Sequence, residues 1–339
     1  IEASLQAGEA RELNWDVDVP SGIASLDWQL DVESASGIRD QMKIAQRVAP
    51  AVPVRVLQAT LLQVAKPERI EVERPAGAIP KRGGIDTALS FAVTSGKGGV
   101  GKTQLSANIA HVLAKRGQRV LLLDADLGLA SLDLALGVHP NRDLLSVVRG
   151  QCALADIVVQ AGENLDLVPA CPGRYEMANL QSAEREHLHN ALRDLAAEYD
   201  VLIIDTGAGI GANSVGFAAL GSHILLVTTP DPTSLRDAYA MAKVLHRRAG
   251  VDSIKVIANQ VSSEANGIEV YERLLGITRR FLSLELDYLG CVPKDETVSR
   301  AVAQGQPYVI GAPRCKATRA VETLVSKLIQ RSENPDVVC

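Results

Sequence analysis

The feature that most constrains the fold of this chain is the segment 94–104, which reads T-S-G-K-G-G-V-G-K-T-Q. It satisfies the pattern G-x-x-x-x-G-K-[ST] and lies between an apolar run and an amphipathic stretch. Glycines here leave room for backbone N–H groups to surround a phosphate, because side chains would block its approach. The pattern therefore predicts a strand, a phosphate-binding loop and a helix, in that order.

This pattern also assigns candidate nucleotide contacts. The residues concerned are Gly96, Lys97, Gly98, Gly99, Val100, Gly101, Lys102, Thr103 and Gln104. The Lys102 ammonium is expected to neutralise the β- and γ-phosphates, and the Thr103 hydroxyl is expected to ligate Mg²⁺. A glycine turn that merely begins a helix is the alternative interpretation.

Short apolar runs alternate with amphipathic stretches after residue 88. The predicted strands cover 89–93, 120–123, 165–168, 201–204, 224–227, 254–258 and 288–292, and the predicted helices cover 103–116, 182–198, 233–249, 264–282, 296–304 and 314–330. Runs that are apolar throughout are typical of strands buried on both faces. The alternation predicts a doubly wound α/β domain with a mostly parallel sheet, whose ligands bind at the carboxyl ends of the strands.

Residues 1–87 differ from the rest of the chain in composition. We therefore predict that they form an N-terminal extension and linker, followed by a P-loop domain over 88–331 and a short tail over 332–339. The extension contains both tryptophans and ends in a segment rich in proline and glycine. We expect it to be poorly structured, with an amphipathic helix over 37–48 and a short helix or strand over 54–64.

Composition excludes several classes of protein. The chain carries 40 acidic and 35 basic side chains, a net charge of −5, which opposes a surface built to attract nucleic acid. Its five cysteines include no C-x-x-C pair, so neither a disulfide framework nor a zinc site is indicated and a reducing cytoplasm fits. No apolar run is long enough for a membrane-spanning helix.

Three carboxylates follow predicted strands, at the edge of the sheet where ligands are expected to bind. Asp124 and Asp126 come after the second run, and Asp205 follows the run 201–204. Mg²⁺ is a hard cation that prefers oxygen ligands, so carboxylates suit this edge of the sheet. The alternative is that these residues only cap the turns after their strands.

The second lysine of the loop adds a resemblance to a known family. K-G-G-V-G-K-T, with Lys97, resembles the deviant Walker A motif of the MinD/ParA ATPases, and D-A-D-L-G after Val120 and the Asp205 segment resemble two further motifs of that family. The resemblance implies that Lys97 reaches the nucleotide of a partner subunit in an ATP-dependent homodimer. It also implies that Asp126 positions the attacking water, and that Asp124 and Asp205 lie near Mg²⁺.

Two later segments resemble the family's base-binding loops. Asn259 follows a predicted strand, and Pro293 and Asp295 lie in G-C-V-P-K-D, which is similar to the family's G-x-I-P-x-D. The resemblance implies contacts between these residues and the adenine of ATP. An asparagine after a strand is also a common turn residue, which is the alternative for Asn259.

Segments 226–239, 280–290 and 312–317 are similar to the FlhG/FleN branch, MinD-like ATPases that set the number and placement of bacterial flagella. This implies slow ATP hydrolysis stimulated by a partner, which would be an FlhF-like GTPase or another flagellar regulator. Residues 40–47 loosely match the branch's N-terminal D-Q-A-x-x-L-R element, with Met42 where alanine is usual. A charged amphipathic turn is the alternative there.

Other functions with the same site remain open. A ParA-type partition ATPase would bind DNA, and a cell-division positioning ATPase would bind the membrane. The charge balance opposes DNA binding, and the acidic tail 332–339 is too short for a membrane anchor, so we expect a cytoplasmic protein with at most peripheral contact to the inner membrane. The apolar stripe over 314–331 is expected to pack on the sheet. Iron–sulfur carriers would need paired cysteines, and no substrate constellation indicates a small-molecule enzyme.

Overall fold

A computed structural model of the chain describes residues 25–33, 39–47, 89–171, 173, 177, 180 and 182–333. The chain divides into two compact units, Ile1–Glu73 and Arg74–Cys339. In the described part of the chain, no helix combines the length and the apolar character needed to cross a membrane.

The first unit contains an antiparallel hairpin of strands β1 (Ser25–Glu33) and β2 (Arg39–Arg47). Trp28 lies opposite Ile44 in its register. The prediction of a helix over 37–48 is therefore wrong.

The residues that loosely match the D-Q-A-x-x-L-R element, 40–47, lie on strand β2. The predicted helix or strand over 54–64 lies outside the described residues.

The second unit is built on an eight-stranded sheet. Its strands are β3 (Leu89–Thr94), β4 (Val120–Ala125), β5 (Val159–Gly162), β6 (Leu165–Val168), β7 (Val201–Thr206), β8 (His223–Thr228), β9 (Ile254–Val261) and β10 (Leu286–Pro293). Their order is β10-β9-β8-β3-β7-β4-β6-β5, and every neighbouring pair is parallel except β5 and β6. The predicted doubly wound, mostly parallel sheet is confirmed, and β5 is an additional antiparallel edge strand.

Helices cover both faces of this sheet. The longer ones are Lys102–Lys115, Ser182–Ala196, Pro232–Ala249, Glu264–Leu282, Glu296–Ala303 and Lys316–Glu333. Shorter helices at Leu132–Leu136, Leu144–Val148, Leu154–Ile157, Ala212–Ala218 and Tyr308–Gly311 were not predicted. Most of these are too short to produce a clear helical period.

The core lies in two layers, one on each face of the sheet. Leu121 and Leu123 belong to one cluster, whereas Leu122 between them belongs to the other. Strands buried on both faces explain why their sequences are apolar throughout.

The apolar stripe of the last helix packs into the second layer, as expected. Its members Ala317, Val321, Leu324, Val325 and Leu328 are all buried there. This face of the helix is therefore part of the core.

Candidate functional site

The glycine-rich loop joins β3 to helix Lys102–Lys115 and passes against helix Pro232–Ala249. A Cβ atom on Gly96 would lie 1.8 Å from the carbonyl oxygen of Asp237, so only glycine fits there. Gly101 has a φ of 92°, a conformation that side chains disfavour. The loop therefore needs glycine both for close packing and for its turn.

The N-terminus of the following helix opens towards this loop without a side-chain cap. Its N-cap residue is Gly101, and its first turn contains no acidic residue. The first N–H groups of the helix are therefore available to an anion, which the helix dipole favours. Lys102 is only 7% exposed, and a buried ammonium calls for a negative partner. The arrangement suits a phosphate group.

Asp124 and Asp205 lie side by side at the carboxyl ends of adjacent parallel strands, where they are partners in the register. Both are buried. The carboxylate of Asp124 accepts hydrogen bonds from the backbone N–H groups of Asp126, Ser131 and Leu132, at 3.0 to 3.1 Å. The loop after β4 therefore fixes the orientation of Asp124.

Asp205 has one satisfied oxygen and one without a partner. Its Oδ1 accepts a hydrogen bond from Ser106 Oγ at 2.9 Å, while its Oδ2 is buried with no hydrogen-bond partner. Such an orphaned oxygen would be satisfied by a hard cation or by a water molecule that the cation holds. The residues present therefore fit Mg²⁺ at this position.

No cluster of three or more His, Cys, Asp or Glu side chains that could hold a metal occurs among the described residues. Mg²⁺ at Asp205 would therefore also depend on the Thr103 hydroxyl and on phosphate oxygens of a nucleotide, as it commonly does in such sites.

Burial raises the pKa of both carboxylates, and the charge of a neighbouring carboxylate adds to each rise: Asp205 for Asp124, and Asp126 for Asp205. Burial raises the pKa of Asp124 to about 8, and the charge of Asp205 adds to the shift. Burial likewise raises the pKa of Asp205 to about 6, although Lys102 and the hydroxyls of Thr103 and Ser106 oppose this rise. Two carboxylates that resist ionisation together are suited to binding a cation, which favours their charged forms.

Asp126 faces the loop that follows β7. Its Oδ1 accepts a hydrogen bond from the N–H of Leu129 at 3.2 Å, and a Cβ atom on Gly207 would lie 3.3 Å from the same oxygen. The N–H of Gly209 donates to the carbonyl of Ser95 at 3.0 Å, which ties this loop to the glycine-rich one. Asp126 also lines an open cavity of about 560 Å³. The Asp126 carboxylate therefore lies between the loop after β4 and the loop after β7 and borders this cavity.

Lys97 makes its contacts on another element. Its Nζ donates to the carboxylate of Asp231 and, at 2.6 Å, to Oγ1 of Thr233. Both partners lie at the start of helix Pro232–Ala249. The hydrogen bond from Lys97, together with those from Thr233, lowers the pKa of Asp231 to about 2. The Lys97 ammonium is thus held within its own subunit.

The three residues assigned to the base lie around a second cavity of about 200 Å³. Asn259, Pro293 and Asp295 line it together with Gly101 and Gln104 of the glycine-rich segment. The structure therefore brings these residues together at one end of the loop.

Two of these side chains also support the walls of the cavity. Asn259 Nδ2 donates to the carbonyl of Val100 at 2.7 Å. The carboxylate of Asp295 accepts from the N–H groups of Thr297 and Lys316, both at 3.0 Å. Asn259 therefore braces the phosphate loop, and Asp295 joins the starts of two helices.

No motif in the sequence marks Ser106, Asp231 or Thr233 as part of the site. Ser106 lies one helical turn after Thr103, a spacing that could have placed it beside the same carboxylate. Asp231 is 134 positions from Lys97, and no local pattern links the two.

The comparison with protein families matches residues 91–308 to the CobQ/CobB/MinD/ParA nucleotide binding domain. Antiactivator FleN of Pseudomonas aeruginosa is 40% identical over 246 residues, which cover 73% of this chain and 88% of FleN. The flagellum site-determining protein YlxH of Helicobacter pylori is 34% identical over 244 residues, covering 72% of this chain and 82% of YlxH.

Among solved structures, the chain is similar to the septum site-determining protein MinD of Pyrococcus horikoshii OT3 in complex with Mg-ADP. The TM-score is 0.61 at 26% sequence identity, over 74% of this chain and 99% of that one.

Proposed function

Because the chain belongs to the MinD/ParA family of nucleotide-binding ATPases, we propose that residues 88–331 form an ATP-dependent dimerisation switch. The observation that carries the proposal is the proximity of Lys102 and Asp126 to the buried Asp205, whose pKa the charges of both affect, at the carboxyl edge of the sheet. A buried cation, a water-orienting carboxylate and a metal-binding carboxylate are the groups that phosphoryl transfer requires.

We propose a role in ATP hydrolysis for each residue of the site. Lys102 and the loop N–H groups bind the β- and γ-phosphates, and Asn259 lies at the end where the base binds. Thr103, Asp124 and Asp205 would hold Mg²⁺, which would neutralise charge on the phosphate oxygens. Asp126 orients a water molecule for in-line attack on the γ-phosphate.

Lys97 couples this chemistry to dimerisation. In the ATP state it leaves Asp231 and approaches the nucleotide of a second subunit, where a cation stabilises the charge that develops on the γ-phosphate. A single subunit lacks this cation, so turnover is slow until the dimer and a stimulating partner complete the site. Loss of the γ-phosphate removes the attraction and releases the dimer.

Sedimentation velocity and phosphate release with Mg²⁺ and ATP test this proposal. Asp126→Ala is expected to retain ATP and to accumulate as a dimer, because hydrolysis no longer ends the ATP state. Lys97→Ala is expected to bind nucleotide but to remain monomeric. Wild-type hydrolysis by Asp126→Ala, without accumulation of dimer, would contradict the mechanism.

We further propose that the switch regulates the number or placement of flagella, with an FlhF-like GTPase or a flagellar regulator as its partner. The names of two relatives support this, since one is an antiactivator called FleN and the other is a flagellum site-determining protein. The test is complementation of a Pseudomonas aeruginosa strain that lacks FleN, with flagella counted by electron microscopy. A return towards the parental number supports the role, and an unchanged count with normal expression contradicts it.

Partition of DNA is the second candidate. It would require free basic residues on the surface, and Arg279 is instead paired with Glu285, with 2.7 Å between Arg279 Nε and Glu285 Oε1. DNA binding that depends on ATP and falls steeply with salt would favour this alternative over the flagellar role.

A further inference from the structure

Arg185 links two helices beside the proposed catalytic centre. It lies in the first part of helix Ser182–Ala196, and its Nη1 donates a hydrogen bond to Asn213 Oδ1 at 2.8 Å. Asn213 Nδ2 in turn donates to the carbonyl of Met177 at 3.1 Å. Asn213 therefore bridges Arg185 and the backbone at Met177, with both ends of its amide engaged.

The stem of Arg185 makes a second contact with the same helix, Ala212–Ala218. A Cβ atom added to Gly216 would lie 3.3 Å from Cδ of Arg185, so the side chain runs closely over this glycine. Asn213 and Gly216 are three positions apart and lie on one face of the helix. Arg185 thus holds that face through its guanidinium and through its stem.

The helix held in this way is short, and its buried residues are Ser214, Phe217 and Ala218. It covers Ala212–Ala218, begins after Gly211 and has no side-chain cap at its N-terminus. Short helices without caps depend on tertiary contacts for their position. The charge-assisted hydrogen bond from Arg185 is a contact of this kind, and such bonds are stronger than neutral ones.

The helix directly continues the loop that faces Asp126. Arg185 lines the same cavity as Asp126, Gly207 and Ala208. Because Gly207 packs against the Asp126 carboxylate, a shift of the helix would move the loop backbone relative to the proposed water-orienting group. The position of this loop depends on contacts at both of its ends.

We propose that Arg185 is a positioning residue for ATP hydrolysis, which acts through Asn213 to fix the 207–211 loop against Asp126. The inference rests on the proposed function, since it assigns the hydrolytic role to Asp126. Arg185 lies outside the phosphate loop and outside the base cavity, so it affects the chemical step and leaves nucleotide binding unchanged.

The test compares steady-state ATP hydrolysis of Arg185→Ala, Arg185→Lys and the control Arg193→Ala. Arg193 lies on the same helix, donates to Asn190 of that helix at 3.2 Å and does not line the cavity that Arg185 shares with Asp126, so its loss is a matched change. Removing Arg185 is expected to lower kcat by about tenfold with KM for ATP unchanged, as for a lost interaction that matters only in the transition state. Arg185→Lys is expected to recover part of kcat, because an ammonium still donates to Asn213.

The double variant Arg185→Ala/Asn213→Ala gives a second readout. If both residues act as one unit, the double variant is no slower than the slower single variant. A kcat within twofold of wild type in Arg185→Ala, an equal loss in Arg193→Ala, or additive losses in the double variant would each overturn the positioning role. Should Arg185→Ala fail to fold, Arg185→Lys and Asn213→Ala carry the same comparison.

Different results would contradict the proposed function and the positioning role of Arg185. Unchanged hydrolysis by Asp126→Ala contradicts the proposed function, whereas unchanged kcat in the Arg185 variants contradicts only the inference about Arg185.

Discussion

Thr233 Oγ1 lies 2.6 Å from Lys97 Nζ, so the extra lysine of the phosphate loop is bound by the start of a helix in its own subunit. The carboxylate of Asp231 binds the same ammonium from the helix N-cap. If Lys97 acts on a second subunit, this contact competes with dimerisation. The strength of the internal contact then helps to set the concentration at which dimers form.

Asp231→Asn is expected to favour the dimer. Asparagine preserves the N-cap of the helix but removes the charge that attracts Lys97. In an Asp126→Ala background, which keeps ATP intact, the midpoint of ATP-dependent dimerisation is expected to fall by a factor of about two to five, the range for an exposed ion pair. Sedimentation velocity across a concentration series measures this midpoint.

Asp237→Asn is the matched control for that change. It removes the same charge from the same helix, but the Asp237 carboxylate contacts Arg236 and not Lys97. An equal midpoint for Asp231→Asn and Asp237→Asn would contradict the competition.

Gly96→Ala is expected to destabilise the folded protein strongly. The new methyl group would meet the carbonyl of Asp237 at 1.8 Å, and backbone on both sides would have to move. Overpacking of this severity is expected to lower the free energy of unfolding by about 3 kcal/mol. Thermal unfolding without nucleotide measures the loss.

Gly98→Ala provides the comparison, because its added Cβ would lie 4.0 Å from Cβ of Ala208, an ordinary contact. Its melting temperature is expected to stay close to that of the wild type. Equal melting temperatures for the Gly96 and Gly98 variants would rule out the close approach.

The buried carboxylate pair predicts that the nucleotide-free protein loses stability as the pH rises from 6 to 8. The pKa values of Asp205 and Asp124 are raised to about 6 and about 8, so the folded state binds protons more strongly than the unfolded chain. Raising the pH therefore favours the unfolded chain until both groups are ionised. Denaturant unfolding at each pH measures the trend.

Asp205→Asn is expected to raise the free energy of unfolding at pH 8 by about 2 kcal/mol, since it removes one buried charge and its repulsion of Asp124. It is also expected to flatten the pH dependence and to weaken Mg²⁺-dependent nucleotide binding. The exposed Asp194→Asn serves as the control, and a pH dependence as steep in Asp205→Asn as in the wild type would exclude the pair as its source.

Asp295→Ala is expected to weaken nucleotide binding through the wall of the base cavity. It removes the N-cap of helix Glu296–Ala303 and the bond to Lys316, which costs about 1 kcal/mol of local stability. Isothermal titration with ADP and Mg²⁺ should show an affinity several-fold lower. Asp143→Ala removes an N-cap from helix Leu144–Val148 and should leave the affinity for ADP unchanged. An equal loss of affinity in both variants would show that losing any helix cap weakens nucleotide binding, and would contradict a specific role of Asp295.

Much of the sheet could be predicted because its strands are apolar on both faces and are separated by long helical stretches. The predicted helix 264–282 coincides with the observed Glu264–Leu282, which has a serine cap and a clear helical period. Strand β5 (Val159–Gly162) escaped prediction because it is a short edge strand with no buried residue in its pattern. The prediction of a helix over 37–48 was wrong because Arg39–Arg47 forms a strand by pairing with Ser25–Glu33. The sequence of residues 37–48 does not by itself indicate this pairing.

Some residues of the candidate site could likewise be predicted from the sequence, and others could not. The residues proposed to bind phosphate follow a loop pattern that dictates backbone geometry, so Lys102 and Thr103 could be proposed from spacing alone. The partners of Lys97 and of Arg185 could not, because Asp231 and Asn213 are brought to them by the fold across long stretches of chain. Interactions of this kind become visible only when helices are placed on the sheet.

The fit of Gly96 against the carbonyl of Asp237 has a consequence for protein engineering. Phosphate loop and helix Pro232–Ala249 interlock through backbone atoms, so neither can be exchanged without the other. A chimaera that imports a relative's loop should import the matching helix as well. Substitutions in one of these two segments are likewise constrained by the backbone of the other, so we expect the two segments to vary together.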